Sequence, residues 1–373
     1  MRPTRAAGRI LVVGPAGGIR GGIDSVVSAH ASSPMWRENR CELIKTYVDR
    51  GTFGKIWAAL KAYATAALKT PSARLVHIHL AGEVSLMRKL PFVALAKLFR
   101  KQAIVHVHAG SPESLFDKTP SWAVRFVMLY ADRVIALSPK WAESIQEHFP
   151  AAKVTVIPNP AVIPALRGSV DYREPIVLFM GKLEQRKGYS DLIKAAKDIL
   201  EAVPDARFQL AGHGDVDEAR QLAKALGISP AIECLGWVAR DRMPNLLNRA
   251  AVFCLPTYNE GVPMAMLEAM SYGLPVVTTP VGGIPDIIQN HVNGILFEPG
   301  DVKALAHEIT RLLRNENGLR SSLGDAGRAT VNALCALEKV TGLLSTLYAE
   351  LVPISSGAAV SISLLPDREH FRS

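Results

Sequence analysis

Short apolar runs rich in β-branched residues, separated by longer stretches with helical periodicity, constrain this chain more than any other feature. Ile10–Val13, Leu75–His79, Ala103–His108, Arg133–Leu137 and Val154–Ile157 form a first set of runs. Between them lie helix-like stretches over 55–69, 85–99 and 121–130. This alternation predicts a parallel α/β sheet, because parallel strands need helical crossovers and are buried on both faces. A second set follows an irregular, proline-containing segment at 158–175: Ile176–Met180, Phe208–Ala211, Ala231–Leu235, Ala251–Leu255, Pro275–Val277 with Thr278, and Gly294–Phe297. The expected fold class is therefore α/β with two domains, 1–165 and 166–350, followed by a tail at 351–373. Two open α/β domains predict a cleft between the carboxyl ends of their sheets, where ligands bind in such folds.

The charge is uneven. Residues 1–170 hold 23 Lys+Arg against 10 Asp+Glu, whereas the remainder hold 20 against 24. A basic N-terminal half suits nucleic acid, anionic lipid or a phosphorylated substrate. Nucleic acid is disfavoured, since no reader motif or cluster of stacking aromatics accompanies the charge. The four cysteines, Cys41, Cys234, Cys254 and Cys335, show no paired spacing and are expected as free thiols in a reducing compartment. No apolar run reaches the roughly 18–20 residues of a membrane span, and Gly14–Pro15 breaks the first run at once. A cytoplasmic location without a signal peptide is expected.

Four places carry candidate chemistry. The first strand runs into a loop containing Gly14, Gly17, Gly18, Gly21 and Gly22. Gly17 and Gly18 there allow close backbone approach to an anion, although neither a dinucleotide fingerprint nor a Walker loop is present. His77 and His79, then His106 and His108, end two strands, each pair facing one side of its strand. Such pairs allow metal binding, but no acidic ligand cluster accompanies them and no metal site is assigned; His77, His79 and His106 are expected as satisfied core residues. His108, nearest the cleft, is a hydrogen-bonding candidate. After Met180 comes Gly181–Gly188 with Lys182, Arg186 and Lys187, where a loop at a strand's carboxyl end neutralises phosphate. The last place is Tyr258–Pro275. Pro263 is expected at the first helical position and Gly273 at the left-handed stop, with Glu260 before the helix and Glu268 inside it. The opening residues Gly261, Val262, Pro263 and Met264 aim the helix start at an anion, and Glu268 in an apolar run requires a partner.

Glu260 and Glu268 form an E-x7-E motif. With E-G-V-P-M-A-M-L-E-A-M-S-Y-G-L-P-V-V-T-T, V-G-G-I-P-D-I-I, N-G-I-L-F-E-P-G-D, G-K-L-E-Q-R-K-G and A-G-H-G-D in this order, the chain resembles the retaining glycosyltransferases of family 4 to about residue 350. The resemblance implies GT-B architecture, two Rossmann-like domains facing an interdomain cleft, with the last helix often crossing back to the first domain. It implies that Glu260 contacts the donor sugar hydroxyls, Glu268 the ribose and Lys187 the diphosphate, with Lys182 in place of the family's usual arginine. His108 matches the histidine that reaches the donor sugar, Gly17 or Gly18 the loop near the diphosphate, and Val238 the position that frames the base. At P-N-P-A-V the chain departs from the more usual P-N-G-V-D.

What the resemblance implies is transfer of a hexose from a UDP- or GDP-linked sugar with retention, by front-face attack in which a leaving-phosphate oxygen takes the acceptor's proton. No residue is then assigned as nucleophile. Lys182, Lys187 and a helix start can stabilise the leaving group's charge without a metal ion, so the expected enzyme is metal-independent, with no cofactor beyond the donor. The N-terminal half would hold the acceptor. Its charge and the basic, apolar stretch at 86–101 point to a lipid-linked saccharide and to peripheral contact with an anionic membrane. The expected role is cell-surface polysaccharide synthesis of the exopolysaccharide or lipopolysaccharide kind. Competing expectations are a sugar-nucleotide epimerase of the same fold, a metal-dependent hydrolase built on the His-x-His pairs, and a catalytically inactive nucleotide-binding module.

Overall fold

The computed structural model describes residues 8–15, 21–46, 51–110, 115–116, 119–165 and 173–352. Its strands form two six-stranded sheets in which every pair is parallel. In the first, β1 (Arg9–Gly14), β2 (Cys41–Lys45), β3 (Ala73–Leu80), β4 (Gln102–Val107), β5 (Arg133–Ala136) and β6 (Val154–Val156) lie in the order β2-β1-β3-β4-β5-β6. In the second, β7 (Ile176–Met180), β8 (Arg207–Ala211), β9 (Ile232–Gly236), β10 (Val252–Leu255), β11 (Val276–Thr278) and β12 (Ile295–Leu296) lie in the order β12-β11-β10-β7-β8-β9. The runs expected from apolar patterning are all strands. Strand β2 was not among them. It is an edge strand, partly exposed, whose apolar pattern Glu42 interrupts; Arg9 and Lys69 both hold that carboxylate.

The connecting helices of the first sheet are α1 (Gly22–Ser32), α2 (Pro34–Glu38), α3 (Thr52–Lys69), α4 (Glu83–Leu98), α5 (Ser121–Tyr130) and α6 (Pro139–His148). Alternation along the strands sorts its two faces. Leu11, Val13, Val76, Ile78 and Val105 pack under α3 to α6, through Ala66, Phe92, Val127 and Trp141 among others. The opposite face carries Ile10, Val12, Leu75, Ile104 and Ile135. In the second domain α7 (Tyr189–Ala202), α8 (Val216–Ala225), α9 (Met243–Arg249), α10 (Met264–Ser271), α11 (Val302–Leu313) and α12 (Leu319–Cys335) surround β7 to β12.

The chain then returns to the first sheet. Ala161 exchanges backbone hydrogen bonds with the end of α12, donating to the Cys335 carbonyl at 2.7 Å and accepting from Leu337 at 2.9 Å. Helix α13 (Leu337–Leu351) lays Val340, Leu344, Leu347 and Tyr348 across the Ile10 and Leu75 face. Burying each such side chain contributes about 1.5–3 kcal/mol, so the strap fixes the sheet it covers.

All four cysteines are free. Among the described residues, no helix is long and apolar enough to cross a membrane. The stretch at 86–101 is largely a packing helix: α4 buries Leu86, Lys89, Phe92, Val93 and Ala96. Outward, α4 exposes Val84 and Leu98, and its neighbour α3, which buries Ala62 and Ala66, leaves Phe53, Ile56, Trp57 and Leu60 more than half exposed.

Candidate active site

Strand order places the site. In the second sheet the strand order reverses between β7 and β10, and the loops leaving such neighbours diverge to open a crevice at their carboxyl ends. The β7 loop carries Lys182, Arg186 and Lys187; the β10 loop carries Asn259 and Glu260. In the first sheet the same reversal falls between β1 and β3, and β4 beside them ends at His108. The two sets of loops enclose a cleft of about 790 Å³.

Every described residue given a site role from the sequence lines this cleft: His108, Lys182, Arg186, Lys187, Val238, Glu260, Gly261, Val262, Pro263, Met264 and Glu268. Gly17 and Gly18 lie outside the described residues, while Gly21 and Gly22, which begin α1, line the first-domain wall. Pro263 caps α10 and Met264 is its first residue, one position later than expected; Gly273 takes the left-handed stop at φ 68°.

The two second-domain loops are tied to each other. Tyr258 N and Thr257 Oγ1 both donate to the Arg186 carbonyl, at 2.8 and 3.0 Å, and the Tyr258 hydroxyl donates to Asp191 at 2.6 Å. Gly188 makes the approach possible, since a Cβ there would lie 1.8 Å from the Pro256 carbonyl oxygen. This brings Lys187 into direct ionic contact with Glu260, and Arg186 lies 3.6 Å from the same carboxylate oxygen. Lys182 and Arg186 share Glu184.

The electrostatics follow from burial. Desolvation, and then the charge on Arg186, pull the Lys187 ammonium down to about 7, with Glu184 opposing. The Glu260 carboxylate in contact with it works the other way, favouring the charged ammonium. Desolvation pushes the Glu268 carboxyl up to about 7, with Arg240 opposing. Burial holds His108 near 3, with His30 and Lys89 adding and Asn159 opposing, so this imidazole is neutral. The cleft thus offers a cation already neutralised by a carboxylate, a second carboxyl poised near neutrality and a neutral histidine.

Some contributors were not singled out from the sequence. Asn159, buried in the P-N-P segment, donates to the Val262 carbonyl at 2.8 Å and ties the interdomain segment to the β10 loop. Asn259 accepts from Arg186 through its carbonyl. Arg240 is the cation facing Glu268. Only Asn159 had a local signal, its place between two prolines.

Two family profiles account for most of the chain. Residues 12–162 match "Glycosyltransferase Family 4" and residues 168–330 match "Glycosyl transferases group 1". Across these two halves the chain matches glycosyltransferases of the family 4 type. Its GT-B fold is shared with Anabaena HepE crystallised with UDP-glucose, at a TM-score of 0.74 and 19% identity over 92% of this chain and 99% of that one. The lipopolysaccharide outer core galactosyltransferase WaaB has the same fold at a TM-score of 0.65 and 18% identity, over 92% and 99% of the two chains. By sequence it is 37% identical to an uncharacterized glycosyltransferase of Methanocaldococcus jannaschii over 38% of this chain, and it spans 36% of that relative's length. It is 27% identical to the UDP-Gal:alpha-D-GlcNAc-diphosphoundecaprenol alpha-1,3-galactosyltransferase of Escherichia coli over 66% of this chain and 67% of that protein.

Proposed function

We propose that this chain is a retaining glycosyltransferase that moves a hexose from a UDP- or GDP-linked sugar to a lipid-linked saccharide in cell-surface polysaccharide synthesis. The observation that carries the reading is the convergence of Lys187, Glu260, Glu268 and His108 on one interdomain cleft. In this reading residues 166–350 hold the donor and residues 1–165 the acceptor. Lys187, with Lys182 beside it, receives the diphosphate and stabilises the charge that grows on it as the glycosidic bond breaks, without a metal ion. Lys187 then exchanges its Glu260 contact for phosphate, and Glu260 is released to take the sugar hydroxyls. His108, neutral, hydrogen-bonds the sugar from the opposite wall. Glu268 accepts from the ribose, Val238 frames the base, and the acceptor's proton passes to a leaving-phosphate oxygen. The Gly261–Met264 turn, Gly17 and Gly18 complete the donor site in the same assignment.

Calorimetric titration of chelator-treated protein with UDP and with GDP tests this. Saturable binding of one nucleotide is expected, with an affinity that depends on Glu268. The ribose hydroxyls donate, so the ionised carboxylate, a charged acceptor, binds more tightly than the protonated acid. Affinity is full above the value of about 7 and falls as pH drops through it. Binding of neither nucleotide, or no pH dependence, removes the assignment.

The acceptor side rests on separate observations. The named substrate of the Escherichia coli relative is a diphosphoundecaprenol-linked sugar. On this chain Phe53, Ile56, Trp57 and Leu60 repeat at helical spacing on the outer side of α3, beside exposed Lys55 and Lys61. An apolar stripe with lysines suits insertion at the headgroup level of an anionic bilayer. Replacing Phe53 and Trp57 together by serine is expected to cut sedimentation with phosphatidylglycerol vesicles at least tenfold while leaving the unfolding midpoint unchanged. Equal sedimentation of both proteins rejects α3 as the docking face.

A further inference from the structure

His77, His79 and His106 were expected as satisfied core residues; they are buried, and each leaves at least one ring nitrogen without a partner. His77 and His79 on β3 and His106 and His108 on β4 stack on the face of the first sheet covered by α13, with ring centroids 4.2–5.4 Å apart between neighbours. His30 of α1 adjoins them, 6.1 Å from the His79 ring. His77 Nδ1 is hydrogen-bonded to the Tyr348 hydroxyl at 2.7 Å, and His79 Nδ1 to His108 Nε2 at 2.9 Å. No partner is found for His30 Nε2, His77 Nε2, His79 Nε2 or either ring nitrogen of His106.

Native interiors leave few polar atoms in this state, since each orphaned group forfeits its hydration, and an ion or water usually accounts for such a group. The pattern of orphans is more specific than their number. A metal-bound histidine presents one nitrogen to the ion and uses the other for a hydrogen bond that fixes ring and tautomer. His77 and His79 are arranged this way, each with Nδ1 engaged and Nε2 open. His106 stands between them with both nitrogens open.

We propose that His77, His79 and His106 form a buried site for one zinc-type divalent ion, behind the cleft and apart from the reacting atoms. One ligand nitrogen from each lies within 4.8 Å of the others. Zinc–nitrogen bonds of about 2.0–2.1 Å place tetrahedral ligands about 3.4 Å apart, so ring movements of about 1 Å close the site. Imidazole-only ligation selects zinc, nickel or copper over magnesium or calcium. Through Tyr348 the ion would anchor α13 on the sheet, and through His79 it would fix the orientation of His108 at the cleft wall.

Untagged full-length protein, stripped with chelator and titrated with zinc, provides the test, read by elemental analysis and by unfolding midpoint. The expected result is saturation near one equivalent and a midpoint raised by about 2–5 °C, with no such effect from magnesium. His106→Phe, which keeps an aromatic ring in the stack, is expected to lose the equivalent, whereas His291→Ala at an exposed turn keeps it. Absence of saturable uptake by the wild-type protein overturns the proposal and leaves water as the occupant; unchanged uptake by a folded His106→Phe also overturns it. If His106→Phe does not fold, the visible spectrum of the cobalt-substituted wild-type protein decides between tetrahedral nitrogen ligation and adventitious surface binding. Nucleotide titration of the metal-free protein reads the donor cleft separately, so the two readings fail independently.

Discussion

Lys187→Ala is expected to lower donor turnover by about 10²–10³-fold, the loss that accompanies removal of one preorganised group facing the charge that develops in a transition state. The size follows from the surroundings. Lys187 lies on the loop after β7, its side chain only 16% exposed, and contacts a Glu260 side chain that is 15% exposed. In water such a cation contributes little, because solvent screens it; in a cleft from which donor binding expels water, its field reaches the diphosphate with less attenuation. The substitution also leaves Glu260 with Arg186, at 3.6 Å and more exposed, as its cationic neighbour. Nucleotide affinity should therefore fall with turnover. Lys187→Arg keeps the charge but not the fit of a compact ammonium, and should recover part of both. The unfolding midpoint should change little, because the side chain lines a cleft and supports no core packing. Donor hydrolysis and UDP or GDP affinity are the readouts. Near-normal values in a folded Lys187→Ala protein would remove this lysine from the site.

The sequence made the strands legible wherever burial on both faces forces a continuous apolar run, as at Ile176–Met180 and Val252–Leu255. It was silent at β2, where an edge position tolerates Glu42 and Lys45 and the period is lost. The cleft residues were legible because each sits beside a backbone signal: a glycine-ended strand before Lys182, a proline-opened helix after Glu260. Their pairing was not. Contact between Lys187 and Glu260 needs β7 and β10 to be neighbours, and that adjacency is a property of strand order, across 73 residues of chain. The stretch at 86–101 read as basic and apolar throughout; only packing shows that α4 turns Leu86 and Phe92 inward and leaves Val84 and Leu98 exposed, while α3 turns Phe53 and Trp57 out. The histidine cluster shows the same limit more sharply. Each His-x-His pair gives its own facing, but two pairs, Tyr348 and His30 meet only because β3 and β4 are adjacent and α13 returns to cover them.

Gly282→Ala is expected to be a severely damaging single-methyl change beside the cleft. Gly282 has φ 57°, a left-handed conformation, and a Cβ built there would sit 1.6 Å from the Glu260 carbonyl oxygen and 2.8 Å from that of Gly110. Neither contact is with a flexible side chain, so backbone must move. The β10 loop would be pushed from the first domain, Glu260 with it, and the hydrogen bond from Gly283 N to the Gly261 carbonyl, now 2.8 Å, would be strained as well. Backbone strain alone costs about 1–3 kcal/mol. Gly227→Ala isolates that part, because Gly227 has φ 72° but nothing within 4 Å of its built Cβ. The control should lower the unfolding midpoint slightly and leave donor turnover intact. Gly282→Ala should lower the midpoint further and reduce turnover at least 10²-fold, since displacements of about 1 Å at a reacting centre have that effect. If Gly282→Ala loses no more stability than the control yet turnover collapses, the loop contact forms only as the domains close on donor. If both properties match the control, the approach of Gly282 to Glu260 and Gly110 does not govern the cleft.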